Sequence, residues 1–332
     1  MLLGGHAFFQ ILSAAIQFKL FEIIESAGQL DETQIANLLH LSKRSTRMLL
    51  LGCTALGLIE KRNSVYINKS DVTRLFLTSC ENTFAPMVLW LHLITYKPMF
   101  HLYESLKSDT NEGLREISGV GATVYDRLAQ NPELEKIFHE AMSTISNRAI
   151  SELLRAFDFG AIDHIVDIGG GTAVNALKIS RALPHIRVTV FDIESVAKLA
   201  TQVVNKSDFS KRVFVQAGNC FLDVLPLGDC YLMVHFCSIW SEEDNKSLFR
   251  RCFEALPAGG SVIIVGMMQN DDRSGPLPAA MTSAYFISLA TGRGSIYSGS
   301  EYKEWLEAVG FTNVQNHNLS MYHKVVIASK GP

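Results

Sequence analysis

Ile165-Val166-Asp167-Ile168-Gly169-Gly170-Gly171-Thr172 is the stretch whose reading decides the fold. It reads as a buried parallel strand running into a glycine turn, with a helix over roughly Ala173 to Leu183 behind it. Glycine lets the backbone turn sharply and approach a ligand closely. The N-terminus of the following helix offers free N–H groups to a polar or anionic group. A second strand, Arg187 to Phe191, ends at Asp192. That carboxylate lies about 20 residues past the glycines, where it can accept hydrogen bonds from a ribose diol.

Two ligands suit such a strand–helix–strand unit. A dinucleotide wants a third glycine for its pyrophosphate, and Val174 stands in that place. S-adenosylmethionine carries a ribose and no phosphate, so the pattern favours it. The bland alternative is a turn that binds nothing, and the two acids Asp167 and Asp192 weigh against it.

Composition narrows the class. With 332 residues, 48% of them apolar and 19% charged, the chain can bury a large core and has room for two domains. Thirty basic residues against 33 acidic ones leave a net charge of −3, which argues against a general nucleic-acid or membrane-surface binder. The six cysteines show no CxxC spacing and read as reduced thiols of a cytoplasmic protein. No apolar run reaches membrane-spanning length. The start, Met1 to His6, lacks a basic n-region and a cleavage site, so no signal peptide is expected, and the helix begins as if a few residues preceded it.

Residues from about His6 to Ser26 are apolar nearly all round, which predicts a helix covered on every side, with a second subunit as the cover. Asp31 to Ile35 opens a capped helix, Ser42 to Leu51 another, and Leu58 to Ile67 reads as a small hairpin. Helix, helix and wing make a winged-helix pattern. Lys43, Arg44 and Arg47 are too few for a DNA footprint, so dimer packing is the favoured use. Phe84 to Tyr103 is aromatic and carries Tyr96, His92 and His101, and Ser108 to Gly121 reads as a loop. Asn131 and Pro132 then cap a helix on which Phe138 and Met142 share a face with His139 at its edge. Such stripes are more often core than substrate contacts.

Downstream, strands at Val213–Gln216, Tyr231–His235 and Ser261–Val265 alternate with helices, one of them over Tyr302–Val309, and Val314–Leu319 with His323–Ser329 closes as a hairpin. The alternation predicts an α/β doubly wound sheet, with ligands at the carboxyl ends of its strands. Those ends carry Gly169 to Gly171, Asp192, Asn219 and His235 to Ser238.

Phe138-His-Glu-Ala-Met142-Ser143, Asp167-Ile-Gly-Gly-Gly171, Phe191-Asp192-Ile193, Ala217-Gly-Asn-Cys-Phe221, Leu256-Pro-Ala-Gly-Gly260 and Ala308-Val-Gly-Phe311 together resemble the class I O-methyltransferases of the caffeate, hydroxyindole and antibiotic-pathway kind, over nearly the whole chain. The resemblance implies a Rossmann-like methyltransferase domain (151–332), a mostly helical N-terminal winged-helix dimerisation domain (1–105) and a helical connector lining the substrate pocket (106–150). It implies S-adenosylmethionine as cofactor, S-adenosylhomocysteine as product, a homodimer and no metal. Cofactor contacts are expected from Asp167, Gly169, Gly170, Gly171, Asp192, Ile193, Gly218, Asn219, Cys220, Phe221, His235, Phe236, Trp240 and Ser143. Substrate contacts are expected from His92, Tyr96, His101, Phe138, His139, Met142 and Ser238.

The chain also departs from that pattern. Gly218-Asn-Cys-Phe221 stands where the family has Gly-Asp-Phe-Phe, so Asn219 meets the adenine edge without a charge. Ser238-Ile239-Trp240 replaces His-Asp-Trp, and Gly266 replaces the glutamate that orients the histidine. A serine hydroxyl is no general base near neutral pH, whereas an imidazole is. The replacement candidates are His139, which falls at a substrate-binding Asn of the family, then His92, then His235, which adjoins a basic cofactor contact. The expected activity is O-methylation of a small aromatic or heteroaromatic hydroxyl in pigment or antibiotic biosynthesis. C- or N-methylation, a non-methylating use of the same cofactor, and a metabolite-sensing regulator are the alternatives.

Overall fold

The computed structural model describes residues 2–80, 83–319 and 322–332. The chain divides into two compact units, one of Met1–Ile94 with Glu140–Thr144 and one of Thr95–His139 with Ile145–Pro332.

The first unit opens with α1 (Gly5–Gln17) and α2 (Leu20–Ala27). The sequence predicted one helix here. The chain breaks at Lys19, which takes a left-handed φ of 54°, and the two pieces are bent by 55°. Leu20, Phe21 and Ile24 after the break share one buried core with Ala15 and Ile16 before it. Strand β1 (Leu30–Asp31) leads into α3 (Glu32–Leu39), whose start is closed by a reciprocal cap between Asp31 and Gln34. Then come α4 (Lys43–Ala55), β2 (Ile59–Arg62), β3 (Val65–Asn68), α5 (Ser70–Thr73) and α6 (Ala85–Trp90). The hairpin pairs as a three-stranded sheet in the order β1-β3-β2, and Asn68 ties it to α2 through the Phe21 carbonyl at 2.8 Å. Arg47 is held by Glu32 at 2.8 Å, which further thins the basic patch. Phe8, Phe18, Met48 and Leu51 lie open, Leu51 at 71% exposure. Among the described residues no single helix is long and apolar enough to cross a membrane, and the bent pair α1–α2 meets that test only in combination.

The second unit begins with α7 (Leu102–Ser108), α8 (Val124–Leu128) and most of α9 (Pro132–Ala156), whose Glu140–Thr144 stretch is counted with the first unit. Asn131 accepts the Leu134 N–H and Pro132 fills the first position, as the sequence predicted. The remaining elements are β4 (His164–Ile168), α10 (Val174–Ala182), β5 (Arg187–Asp192), α11 (Glu194–Asn205), β6 (Val213–Ala217), β7 (Cys230–Val234), α12 (Glu242–Ala255), β8 (Ser261–Met267), α13 (Leu277–Ser288), α14 (Gly299–Val309), β9 (Thr312–Asn318) and β10 (His323–Ser329). The strands order as β6-β5-β4-β7-β8-β10-β9, parallel through β8 and antiparallel beyond it. One core layer joins the sheet to α9, α10 and α11, and a second joins it to α12 and α14. Strands β4 and β7 are central and nearly wholly buried, so the sequence there is almost continuously apolar. Asp167 is the buried charged exception.

Candidate active site

The carboxyl end of β4 turns through Gly169 and Gly171, with φ of 68° and 58°, where a side chain would be strained. A Cβ on Gly169 would stand 2.2 Å from Phe236 Cδ2, so the Phe236 ring lies directly on this backbone. A Cβ on Gly171 would meet nothing within 4 Å, so this side of the turn is open. The Gly171 N–H donates to Asp192 Oδ2 at 2.9 Å, and the Ile193 N–H donates to Asp192 Oδ1 at 2.8 Å. The Gly218 N–H donates to the Asp192 carbonyl at 2.9 Å. Asp192 thus ties together the ends of β4, β5 and β6. Each carboxylate oxygen still has a lone pair to offer.

Asp167 is fully buried, and both carboxylate oxygens lack a hydrogen-bond partner. Burial pushes its pKa up to about 7, the Asn175 amide, close by but outside hydrogen-bond geometry, pulls it back, and the Asp192 charge adds to the rise. Burial also raises Asp192, against its two backbone N–H bonds. Two crowded, buried acids of this kind favour a cation beside them.

Asn219 accepts the Phe221 N–H at 2.9 Å and its own N–H donates to Asp223 at 2.7 Å. The turn is held from behind by Arg251, whose Nε donates to the Cys220 carbonyl at 2.9 Å. It presents Phe221, whose ring meets Trp240 edge-on at 4.7 Å and Phe236 at 6.5 Å. Trp240 lies 5.9 Å from Phe236, and its buried Nε1 has no hydrogen-bond partner. Three aromatic rings therefore converge beside the glycine turn.

His235 has a left-handed φ of 54° and lies edge-on to His323 at 5.0 Å, with Nδ1 3.9 Å from where a Gly266 Cβ would be. Burial, with the neighbouring imidazole, pushes its pKa down to about 3. Such a group is a very weak base. Ser238 sits in the short turn Cys237–Ile239. Asn245 donates to the carbonyls of Cys237 and Trp240, Thr291 donates to the Ile239 carbonyl at 2.6 Å, and Tyr297 donates to the Trp240 carbonyl at 2.9 Å. The turn is thus held by side chains from three separate segments. The clamp residues Asn245, Thr291 and Tyr297 were not anticipated, because they come from separate elements.

On α9, His139 is mostly buried and its Nε2 lies 4.0 Å from Glu135 Oε1. Burial lowers the His139 pKa and raises that of Glu135. Phe138 meets the His139 ring at 5.5 Å and Tyr125 at 5.8 Å, both edge-on. Burial pushes the Tyr125 phenol up to about 12, with the hydrogen bond from its partner Tyr285 opposing the rise. Neither Tyr125 nor Tyr285 was singled out from the sequence. Tyr96 lies 5.9 Å from Phe100, and His101 Nε2 is engaged by Glu116 at 2.9 Å, which makes it a tie between neighbouring turns. His92, Met142 and Ser143 belong to the first unit. His92 lies on the π-helical turn Leu91–Thr95, and its Nδ1 is buried without a hydrogen-bond partner.

With this geometry in hand, the sequence matches an O-methyltransferase domain over residues 100–312 and an O-methyltransferase dimerisation domain over residues 1–79. The chain belongs to the O-methyltransferase family. This is a family of S-adenosylmethionine-dependent methyltransferases, and the doubly wound sheet with a helical N-terminal dimerisation domain is its fold. Among curated relatives, the L-tyrosine C(3)-methyltransferase of Streptomyces lavendulae is 34% identical over 99% of this chain and 91% of its own. The 3-hydroxy-5-methyl-1-naphthoate 3-O-methyltransferase of Streptomyces sahachiroi is 30% identical over 92% of this chain and 86% of its own. Among solved structures, the S-adenosylmethionine-dependent methyltransferase SibL in its apo form is 35% identical, with a TM-score of 0.85, over 100% of this chain and 98% of that one.

The residues present suit the family's donor. S-adenosylmethionine carries cationic sulfonium and ammonium groups and a ribose diol. The unpartnered Asp167 oxygens, the open side of Gly171 and the aromatic faces beside it match those three demands.

Proposed function

We propose that this enzyme methylates an ionisable hydroxyl on a small aromatic or heteroaromatic molecule of secondary metabolism, in pigment or antibiotic biosynthesis. The observation that carries the reading is the Gly169–Gly171 turn tied to Asp192 and flanked by the buried, unpartnered Asp167. When bound, S-adenosylmethionine supplies an electrophilic methyl group. Asp192 would take the ribose diol, with Gly169, Gly170, Gly171, Ile193 and Gly218 shaping its seat. Asn219 would meet the adenine edge, and Cys220, Phe221, Phe236 and Trp240 would wall the ligand. Asp167 would balance its positive charge. His235, with its imidazole held neutral, belongs to this wall rather than to the proton chemistry.

On the acceptor side, Phe138 and Tyr96 offer aromatic faces, and His139 takes the proton of the hydroxyl. Burial lowers the His139 pKa from 6.5, so it is a free base at neutral pH. Ser238 has no part in that proton transfer. His92, His101, Met142 and Ser143 remain proposals from the resemblance alone. An acceptor that ionises by itself would need the histidine less.

A second reading is methylation of a ring carbon ortho to the same phenolate. It is favoured by the 34% identity to a tyrosine C(3)-methyltransferase together with the loss of the usual histidine at Ser238. Incubation with methyl-labelled S-adenosylmethionine and a panel holding L-tyrosine, a hydroxynaphthoate and hydroxylated heteroaromatics tests both readings. One S-adenosylhomocysteine per methylated product is expected, and the product's proton spectrum separates a methoxy from a ring methyl. Turnover of an acceptor without S-adenosylhomocysteine would overturn methyl transfer.

The dimerisation domain and the open Phe8, Phe18, Met48 and Leu51 support a homodimer burying more than about 2,000 Å². Sedimentation at micromolar concentration should give a dimer, and a monomer there would refute this. Six free cysteines, five of them buried, fit a reducing compartment, and we place the enzyme in the cytoplasm.

A further inference from the structure

Resting on the reading of His139 as base, we propose that Glu135 is its positioning residue, so that the carboxylate–imidazole pair missing at Gly266 and Ser238 is rebuilt on one face of α9. An i, i+4 spacing brings the two side chains together on a helix. Glu135 Oε1 lies 4.0 Å from His139 Nε2, and the side chains are only 19% and 17% exposed. That is ion-pair distance, longer than a hydrogen bond, and such contacts commonly tighten when substrate binds. The Phe138 ring, itself braced by Tyr125, meets the imidazole edge-on. A carboxylate beside Nε2 favours the tautomer protonated there and leaves the Nδ1 lone pair free to accept. The acceptor O–H then gives its proton to Nδ1. Its electron pair forms the bond to the methyl carbon as the carbon–sulfur bond breaks onto sulfur. The proton on Nδ1 leaves to solvent with the product.

Burial works against a charge on either member alone, since it lowers His139 and raises Glu135. The Glu135 carboxylate offsets the imidazolium that forms during turnover. Glu135 also lies in the first turn of α9, where an acid complements the helix dipole. Glu133 shares that turn and is exposed, so it controls for the dipole. Lys136 and Glu140 flank the pair on the same helix and are exposed.

The test is an NMR titration of the histidine ring signals in the intact enzyme with S-adenosylhomocysteine bound, the His139 signal being assigned with His139→Gln. Glu135→Gln should lower the His139 pKa by about 0.5–1 unit and raise the share of the Nδ1-protonated tautomer. Glu133→Gln should change neither, and Glu135→Asp should restore part of the shift. With whichever of L-tyrosine or the hydroxynaphthoate is methylated, Glu135→Gln should lower kcat about 3- to 10-fold with its acid limb moved to lower pH. S-adenosylhomocysteine affinity should be unchanged, which also verifies folding. An unaltered pKa and tautomer in Glu135→Gln would overturn the positioning role whatever His139→Ala does. Wild-type turnover in His139→Ala, with the Glu135 shift intact, would instead remove the base reading and with it the role of the pair in the reaction.

Discussion

Replacing His139 by alanine is expected to lower kcat by about 10²–10⁴-fold, the range over which a positioned general base contributes. The expectation follows from three observations. Ser238 and Gly266 stand where the resemblance puts the family's histidine and glutamate, and neither can take a proton near pH 7. His235 is held at about 3 by burial, so it is too weak a base to replace them. His139 is buried enough to be lowered from 6.5 and so stays unprotonated at neutral pH. The sign of the pH dependence follows. A lowered pKa places the acid limb of kcat below pH 6.5, with activity lost as the imidazole protonates on acidification. Ser238→Ala and His235→Ala should stay within about tenfold of wild type, as groups outside the proton transfer. If the acceptor ionises by itself, every histidine variant keeps its activity and the profile follows the acceptor's own pKa. Pre-steady-state methyl transfer across pH for wild type and the three variants decides, and full activity in His139→Ala removes the histidine base.

Asp192→Ala should weaken S-adenosylhomocysteine binding by about 1.5–3 kcal/mol, on the order of 10- to 150-fold. Two losses add in this variant. The Gly171 and Ile193 N–H groups lose their acceptor, so the glycine turn loses its tie to β5. The ribose diol loses a charged acceptor, and bonds to charged groups are the stronger ones. Asp192→Asn keeps one acceptor oxygen in the same place and should fall between. Because burial raises the Asp192 pKa, the carboxylate protonates earlier than an exposed one as pH falls, and affinity should weaken in that direction. Calorimetry on the three proteins measures this. Equal affinity in wild type and Asp192→Ala would remove Asp192 from the cofactor site.

The strand–turn–helix at Ile165–Leu183 was legible because its signals are local: an apolar run, three glycines and a helix start. The observed strand and helix match it within two residues at each boundary. The same holds for α9, whose Asn131–Pro132 start is a property of adjacent residues. By itself the sequence therefore determined the α/β class, the winged first unit and the glycine turn with Asp192. Other features were not local. The break at Lys19 is invisible to hydrophobic pattern, because the apolar residues continue on both sides of it into one core. Helix α13 was not anticipated; Pro278 falls at its start, where proline is tolerated. Only the tertiary structure decided that Phe236 lies on Gly169, that Asp167 is unpartnered and that His235 is silenced by burial. Pair distances and burial depend on residues far apart in the chain, and no window of sequence contains them.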